Sequence, residues 1–109
     1  MKCVLILLSL FALMIDPIHG AEVSVSPDAR TLAFMLAGKV CVTPAGASFS
    51  FSSDGHYAYS GLWTSHGHYS VQAGVIFVML DHGLGRRFDV VVKDGVLYMN
   101  NIALLCRSQ

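Results

Sequence analysis

The stretch Ala47–Ser60 reads ASFSFSSDGHYAYS, and its reading decides the fold. Successive side chains of a β-strand point to opposite faces, so residues two apart share a face. Phe49 and Phe51 therefore point one way, and Ser48, Ser50 and Ser52 the other. After Asp54-Gly55 the alternation resumes, with Tyr57 and Tyr59 opposing His56, Ala58 and Ser60. An Asp-Gly pair between alternating runs signals a two-residue hairpin, because a type I′ turn needs φ > 0 at both central residues. The segment thus predicts two strands with one aromatic face and one polar face.

The same grammar extends in both directions from Lys39 onward. Runs rich in β-branched and aromatic residues cover Val40–Thr43, Ser48–Ser52, Tyr57–Ser60, Leu62–Ser65, Tyr69–Gln72, Val75–Leu80, Phe88–Val92, Val96–Met99 and Ile102–Cys106. Turn signals separate most of them: Pro44-Ala45-Gly46, Ser53-Asp54-Gly55, His66-Gly67, Ala73-Gly74, His82-Gly83-Leu84-Gly85 and Lys93-Asp94-Gly95. In Arg87–Lys93, Phe88, Val90 and Val92 oppose Arg87, Asp89, Val91 and Lys93. Short strands joined by tight turns predict a mainly β fold. The expected form is an antiparallel up-and-down meander closing into a small barrel or a curled sheet. Val75–Leu80 (VIFVML) is apolar on both faces. It is read as a strand covered on both sides, with an exposed interaction surface as the other option.

One short helix precedes the meander. Ser26 can cap, Pro27 suits the first helical position, and Asp28 favours the positive end of the helix dipole. Leu32, Met35 and Leu36 follow at helical spacing, and Gly38 is a stop. The predicted helix spans residues 27–37, and its apolar stripe is expected to cover a mouth or a face of the sheet.

The N-terminus has a different logic. Lys2 is followed by the apolar run Cys3–Ile15, then Asp16-Pro17 and the small residues Gly20 and Ala21. A positive start, a short apolar stretch and small residues at a cut are the marks of a secretory signal peptide. The run is shorter than the roughly 20 residues a membrane-spanning helix needs. Residues 1–20 are read as a signal peptide and 21–109 as a single small β domain, periplasmic or secreted and without a stable membrane anchor after cleavage. A retained anchor is the rival. Cys3 leaves with the leader, so Cys41 and Cys106 remain as an even pair in an exported chain, which predicts one disulfide between the first and last strands of the meander.

Composition narrows the function classes. The chain has 109 residues with seven basic and seven acidic side chains. The basic ones are scattered, with only Arg86-Arg87 adjacent, so no basic stripe marks a nucleic-acid surface. No serine sits in a nucleophile elbow, and most aspartates fall in turns, where they have a structural task. No catalytic residue and no cofactor is expected. The histidines are the most suggestive feature. His66 and His68 flank one glycine, and His56 and His82 lie elsewhere. Gly67 is read as a turn that splays the pair, so surface histidines are expected rather than a metal centre.

The aromatic set Phe49, Phe51, Tyr57, Tyr59, Trp63, Tyr69, Phe77, Phe88 and Tyr98 is a filled barrel core or, in part, the lining of an apolar cavity. Within Phe49–Val90 the chain reads F-x-F-x-x-D-G-x-Y-x-x-x-G-x-W, then G-x-Y-x-V, then R-x-F-x-V. This resembles the small bacterial lipocalin-like and similar exported β-meander families. The resemblance implies a curled meander and carries over no binding residue.

The expected function is an exported, non-catalytic binding module. Its partner is a protein, such as an extracellular hydrolase that it inhibits, or a small apolar ligand. The expected partner surface lies in the turns at one end, with His66, His68, Arg86 and Arg87. One alternative is a structural or envelope-associated protein that oligomerises through Val75–Leu80. Another is a small metal-binding protein using His56, His66, His68 or His82.

Overall fold

The computed structural model describes residues 24–109. The signal-peptide reading and the cut after Gly20 lie outside the described residues. The runs fold into β1 (Ser24–Val25), β2 (Lys39–Val42), β3 (Ser48–Phe51), β4 (His56–Ser60), β5 (Thr64–Gln72), β6 (Val75–Leu80), β7 (Gly85–Lys93), β8 (Val96–Met99) and β9 (Ile102–Ser108). A single helix, α1 (Ala29–Leu36), lies between β1 and β2. From β2 to β9 each strand pairs antiparallel with the next, and β9 returns to pair with β2. The result is a closed, eight-stranded, up-and-down barrel. β1 adds two residues to the edge of β7, with Ser24 opposite Lys93 and Val25 opposite Val92.

The period-2 pattern fixes which side chains enter the barrel. Phe49, Phe51, Tyr57, Ile76, Val78, Leu80, Phe88, Val90, Leu97, Met99 and Leu104 form one buried cluster with Leu32 and Leu36 of α1. Cys41 and Cys106 are direct neighbours in the β2–β9 register and form the expected disulfide. The bond therefore sits on the seam that closes the barrel. Such a bond fits an oxidising compartment. No helix among the described residues is long and apolar enough to cross a membrane.

The helix is shorter than expected and starts later. Asp28, not Ser26, is its N-cap: its carboxylate accepts from the Thr31 amide at 2.8 Å. That hydrogen bond lowers the Asp28 pKa. The Pro27 carbonyl instead accepts from the Gly74 amide at 2.8 Å, tying the segment to the β5–β6 turn. Leu32 and Leu36 are fully buried, and α1 packs against β5 and β2. It closes the end of the barrel at which β2 begins and β5 finishes.

Three further expectations are corrected. The connection from β3 to β4 is a four-residue loop, Ser52–Gly55, in which only Gly55 has positive φ (93°). Asp54-Gly55 is therefore not a type I′ pair. Asp94-Gly95 has the backbone expected of one, with φ of 54° and 79°. Asn100-Asn101 makes a second such turn with φ of 49° and 68°, using the tolerance of asparagine for left-handed backbone. Next, His66-Gly67 is not a turn. β5 runs straight through it, and Gly67 faces the barrel interior opposite Tyr57 and Leu80. A glycine inside a strand often marks a close backbone approach. Here a Cβ on Gly67 would lie 2.2 Å from the Met79 carbonyl oxygen and 2.8 Å from the Leu80 Cα.

Finally, β6 is not covered on both sides. α1 lies at the barrel end, so Met79 on the outer face stays 56% exposed, and Phe77 beside it is only half-buried.

The Gly67 contact yields a direct test. Gly67→Ala forces β5 and β6 apart, because backbone atoms cannot rotate away as a side-chain tip can. We expect a loss of about 1–3 kcal/mol, the usual scale for overpacking, read as a lower urea midpoint. An unchanged midpoint would show that the close approach is not real.

Candidate functional site

At the end opposite α1 the barrel is open, and a concave cup of about 240 Å³ enters it. Its wall is built by inward-facing positions of successive strands: Phe49 from β3, Tyr57 and Tyr59 from β4, Ser65 from β5, Leu80 from β6 and Phe88 from β7. Trp63, on the bend between β4 and β5, and Arg86 of β7 complete the rim. The rings form a connected set. Phe49 lies 5.0 Å from Tyr59 and 6.2 Å, edge-on, from Phe88, and Tyr59 lies 5.6 Å from Trp63. Offset and edge-to-face geometries of this kind are the favoured ones for aromatic pairs.

The polar content of the cup is small and specific. The Arg86 guanidinium stands 5.6 Å from the centroid of the Phe88 ring, within cation–π range. Among the described residues no carboxylate forms an ion pair with it. Burial pushes the Tyr57 hydroxyl up to about 12, and the Arg86 charge acts in the opposite sense. Tyr57 is thus a neutral hydrogen-bond donor at ordinary pH. Ser65 and Asn100 add further polar groups, and no carboxylate, imidazole or thiol lines the cup. The arrangement can hold an apolar body against rings and offer donors to an anionic or polar head.

The aromatic residues singled out in the sequence divide three ways. Phe49, Tyr57, Tyr59, Trp63 and Phe88 line the cup. Phe51 and Tyr69 pack edge-on at 5.1 Å in the half of the barrel nearer α1. Phe77 and Tyr98 are not in the core. Phe77 is opposite Ser70 and Arg87 on the outer face, and Tyr98 has the Lys93 ammonium 5.0 Å from its ring centroid. The interior is filled at one end and hollow at the other.

The expected partner surface is also divided. His66, His68 and Arg87 lie on the outer faces of β5 and β7, not in turns. Arg86 has the opposite parity and lines the cup. The signal was present: Arg86 is two residues before Phe88 and shares its face. His82 stays in the exposed β6–β7 turn.

Because β5 is continuous, His66 and His68 share a face. His68 is directly opposite His56 of β4, and their ring centroids lie 4.7 Å apart. His66 is opposite Ala58. The His56 Nδ1 donates to Asp54 Oδ1 at 2.9 Å. The Ser52 hydroxyl also donates to Asp54 Oδ1, and the His56 amide does so at 3.4 Å. The Ser52 hydroxyl first, then the His56 ring, hold the Asp54 carboxyl well below the usual carboxylate range. Sequence spacing gave no sign of the His56–His68 pairing, which depends on strand register.

Comparison with protein-family models, with curated proteins and with solved structures finds no match to this chain.

Proposed function

We propose that the protein is an exported, non-catalytic binding module whose barrel mouth holds a small apolar molecule bearing an anionic head. One observation carries the reading: a ring-lined cup, closed below by packed side chains, has at its rim a guanidinium that no carboxylate among the described residues pairs with. Binding pockets are mostly apolar, with a few placed polar groups that fix orientation. The cup is smaller than the usual drug-sized pocket of roughly 300–1,000 Å³. Its ligand is therefore small, on the scale of one ring or a short chain. Export rests on the leader-like N-terminus and on the disulfide, which points to a periplasmic or secreted location.

Trp63 is the single tryptophan of the chain, so its emission reports on the cup directly. Octanoate and 1-octanol are suitable probes of equal chain length. Both are expected to change Trp63 emission saturably. Arg86→Gln is expected to weaken octanoate by at least about tenfold, since a hydrogen bond to a charged group is worth roughly 1.5–3 kcal/mol, and to leave 1-octanol unchanged. No saturable change with either probe would remove the reading. Equal weakening of both would remove the role given to Arg86.

A second reading has its own observation. The outer face of β6 presents Phe77 and the 56%-exposed Met79 beside Arg87. Association through that strand would give a dimer in size-exclusion measurements, and Met79→Lys would dissolve it. A monomer across the concentration range would leave the cup as the functional surface.

A further inference from the structure

We infer that the cross-strand pair His56–His68 is a binding site for a divalent d-block ion, copper(II) ahead of zinc(II), with Asp54 orienting His56 from behind. The site lies on the outer wall of the barrel and is independent of the cup. Three observations converge on it.

The first is spacing. A ring nitrogen binds such an ion at about 2.0–2.1 Å. Adding the distance from that nitrogen to its ring centre places the ion about 3.2 Å from each centroid. Two imidazoles sharing one ion at angles of 90° to 110° then have centroids about 4.5–5.2 Å apart. The observed separation is 4.7 Å, with planes inclined by 41°.

The second is orientation. Asp54 Oδ1 lies 2.9 Å from His56 Nδ1, and a carboxylate oxygen in that contact takes the hydrogen from the ring nitrogen. That assignment leaves the Nε2 lone pair free to ligate. A carboxylate behind a ligating histidine fixes tautomer and ring direction and raises ligand basicity. Ser52 in turn holds Asp54, and its hydroxyl is itself in contact with the His56 amide at 2.9 Å. The four-residue β3–β4 loop is thus a support for one imidazole.

The third is the base. Both histidines are on strands of a closed sheet in direct register, so strand pairing fixes the backbone from which each ring projects. They line a shared depression with His66 and Asp81. Among the described residues no three histidine, cysteine or carboxylate groups are placed to share an ion. The protein therefore supplies two nitrogen ligands, and water fills the other positions. Imidazole suits both ions, and copper(II) binds a given nitrogen site more tightly than zinc(II).

The test uses the full mature chain purified without a histidine tag. Copper(II) is titrated by calorimetry, and the bound ion is examined by electron paramagnetic resonance for hyperfine coupling to two imidazole nitrogens. The expected result is one ion per chain. His56→Ala and His68→Ala should each weaken binding at least tenfold, and Asp54→Asn about tenfold, the lower end of the range for supporting groups. His66→Ala and His82→Ala should leave it within twofold. Circular dichroism confirms that each variant is folded. Zinc(II) should bind at the same place more weakly, competing with copper(II). Retained affinity in both His56→Ala and His68→Ala, or a loss confined to His66→Ala or His82→Ala, would overturn the assignment.

Discussion

Removing the disulfide, by Cys41→Ala together with Cys106→Ala, is expected to lower stability by about 4 kcal/mol, the chain-entropy value for a loop of this size. The two cysteines are 65 residues apart in sequence. Every other strand pair in the barrel joins neighbours in the chain, across connections of a few residues. The β2–β9 pair alone must bring distant segments together, so its loop-closure cost is the largest in the barrel. The bond removes that cost by keeping the ends joined in the unfolded chain. A domain this small has a total stability of roughly 4–13 kcal/mol at the usual value per residue. The loss is thus a large share of the whole, and for a domain below 100 residues it corresponds to a fall in Tm on the order of 20 °C. Thermal unfolding of the native chain with and without reductant should reproduce the difference between native and variant. A Tm unmoved by both would mean that strand pairing alone holds the seam.

The second large effect is expected in the half of the barrel nearer α1. Phe51→Ala should cost about 3–5 kcal/mol, the range for truncating a buried aromatic ring. Phe51 has no exposed surface. Its ring lies 5.1 Å edge-on from Tyr69 and 5.9 Å from Tyr57, and Phe49 stacks at 6.4 Å. The surrounding wall is a closed sheet, which resists collapse into the space left by the ring. Phe34, on the solvent side of α1, is the matched control: it is 80% exposed, and Phe34→Ala should change stability by no more than about 0.5 kcal/mol. Urea unfolding of both variants checks the pair. Similar midpoints would mean that the interior is not packed as described.

Much of the fold was legible because alternation is local. The faces assigned to Ser48–Ser52, His56–Ser60 and Arg87–Lys93 follow from parity alone, and the structure keeps them. The seam was legible through Cys41 and Cys106, which need only an even count and an exported chain to be paired. What parity could not supply was continuity. His66-Gly67 looks like a turn by composition, yet a glycine is also what a strand needs where a neighbouring backbone comes too close for a Cβ. The choice depends on Met79 and Leu80, twelve or more residues away. The same limit explains β6: its outer face looks buried because it is apolar, but burial depends on where α1 docks. It also explains the candidate sites. The His56–His68 pair is set by register, and the cup by which end the helix plugs.

The plugged end has a kinetic meaning. Leu32 and Leu36 of α1 are fully buried at the far end of the barrel, so a ligand held as proposed would enter and leave on the side of Trp63 and the rim of β7. Exchange of one such ligand for another would then pass through the empty cup. Release would proceed at its own unimolecular rate however much competitor is present, and the doorway would govern both arrival and departure.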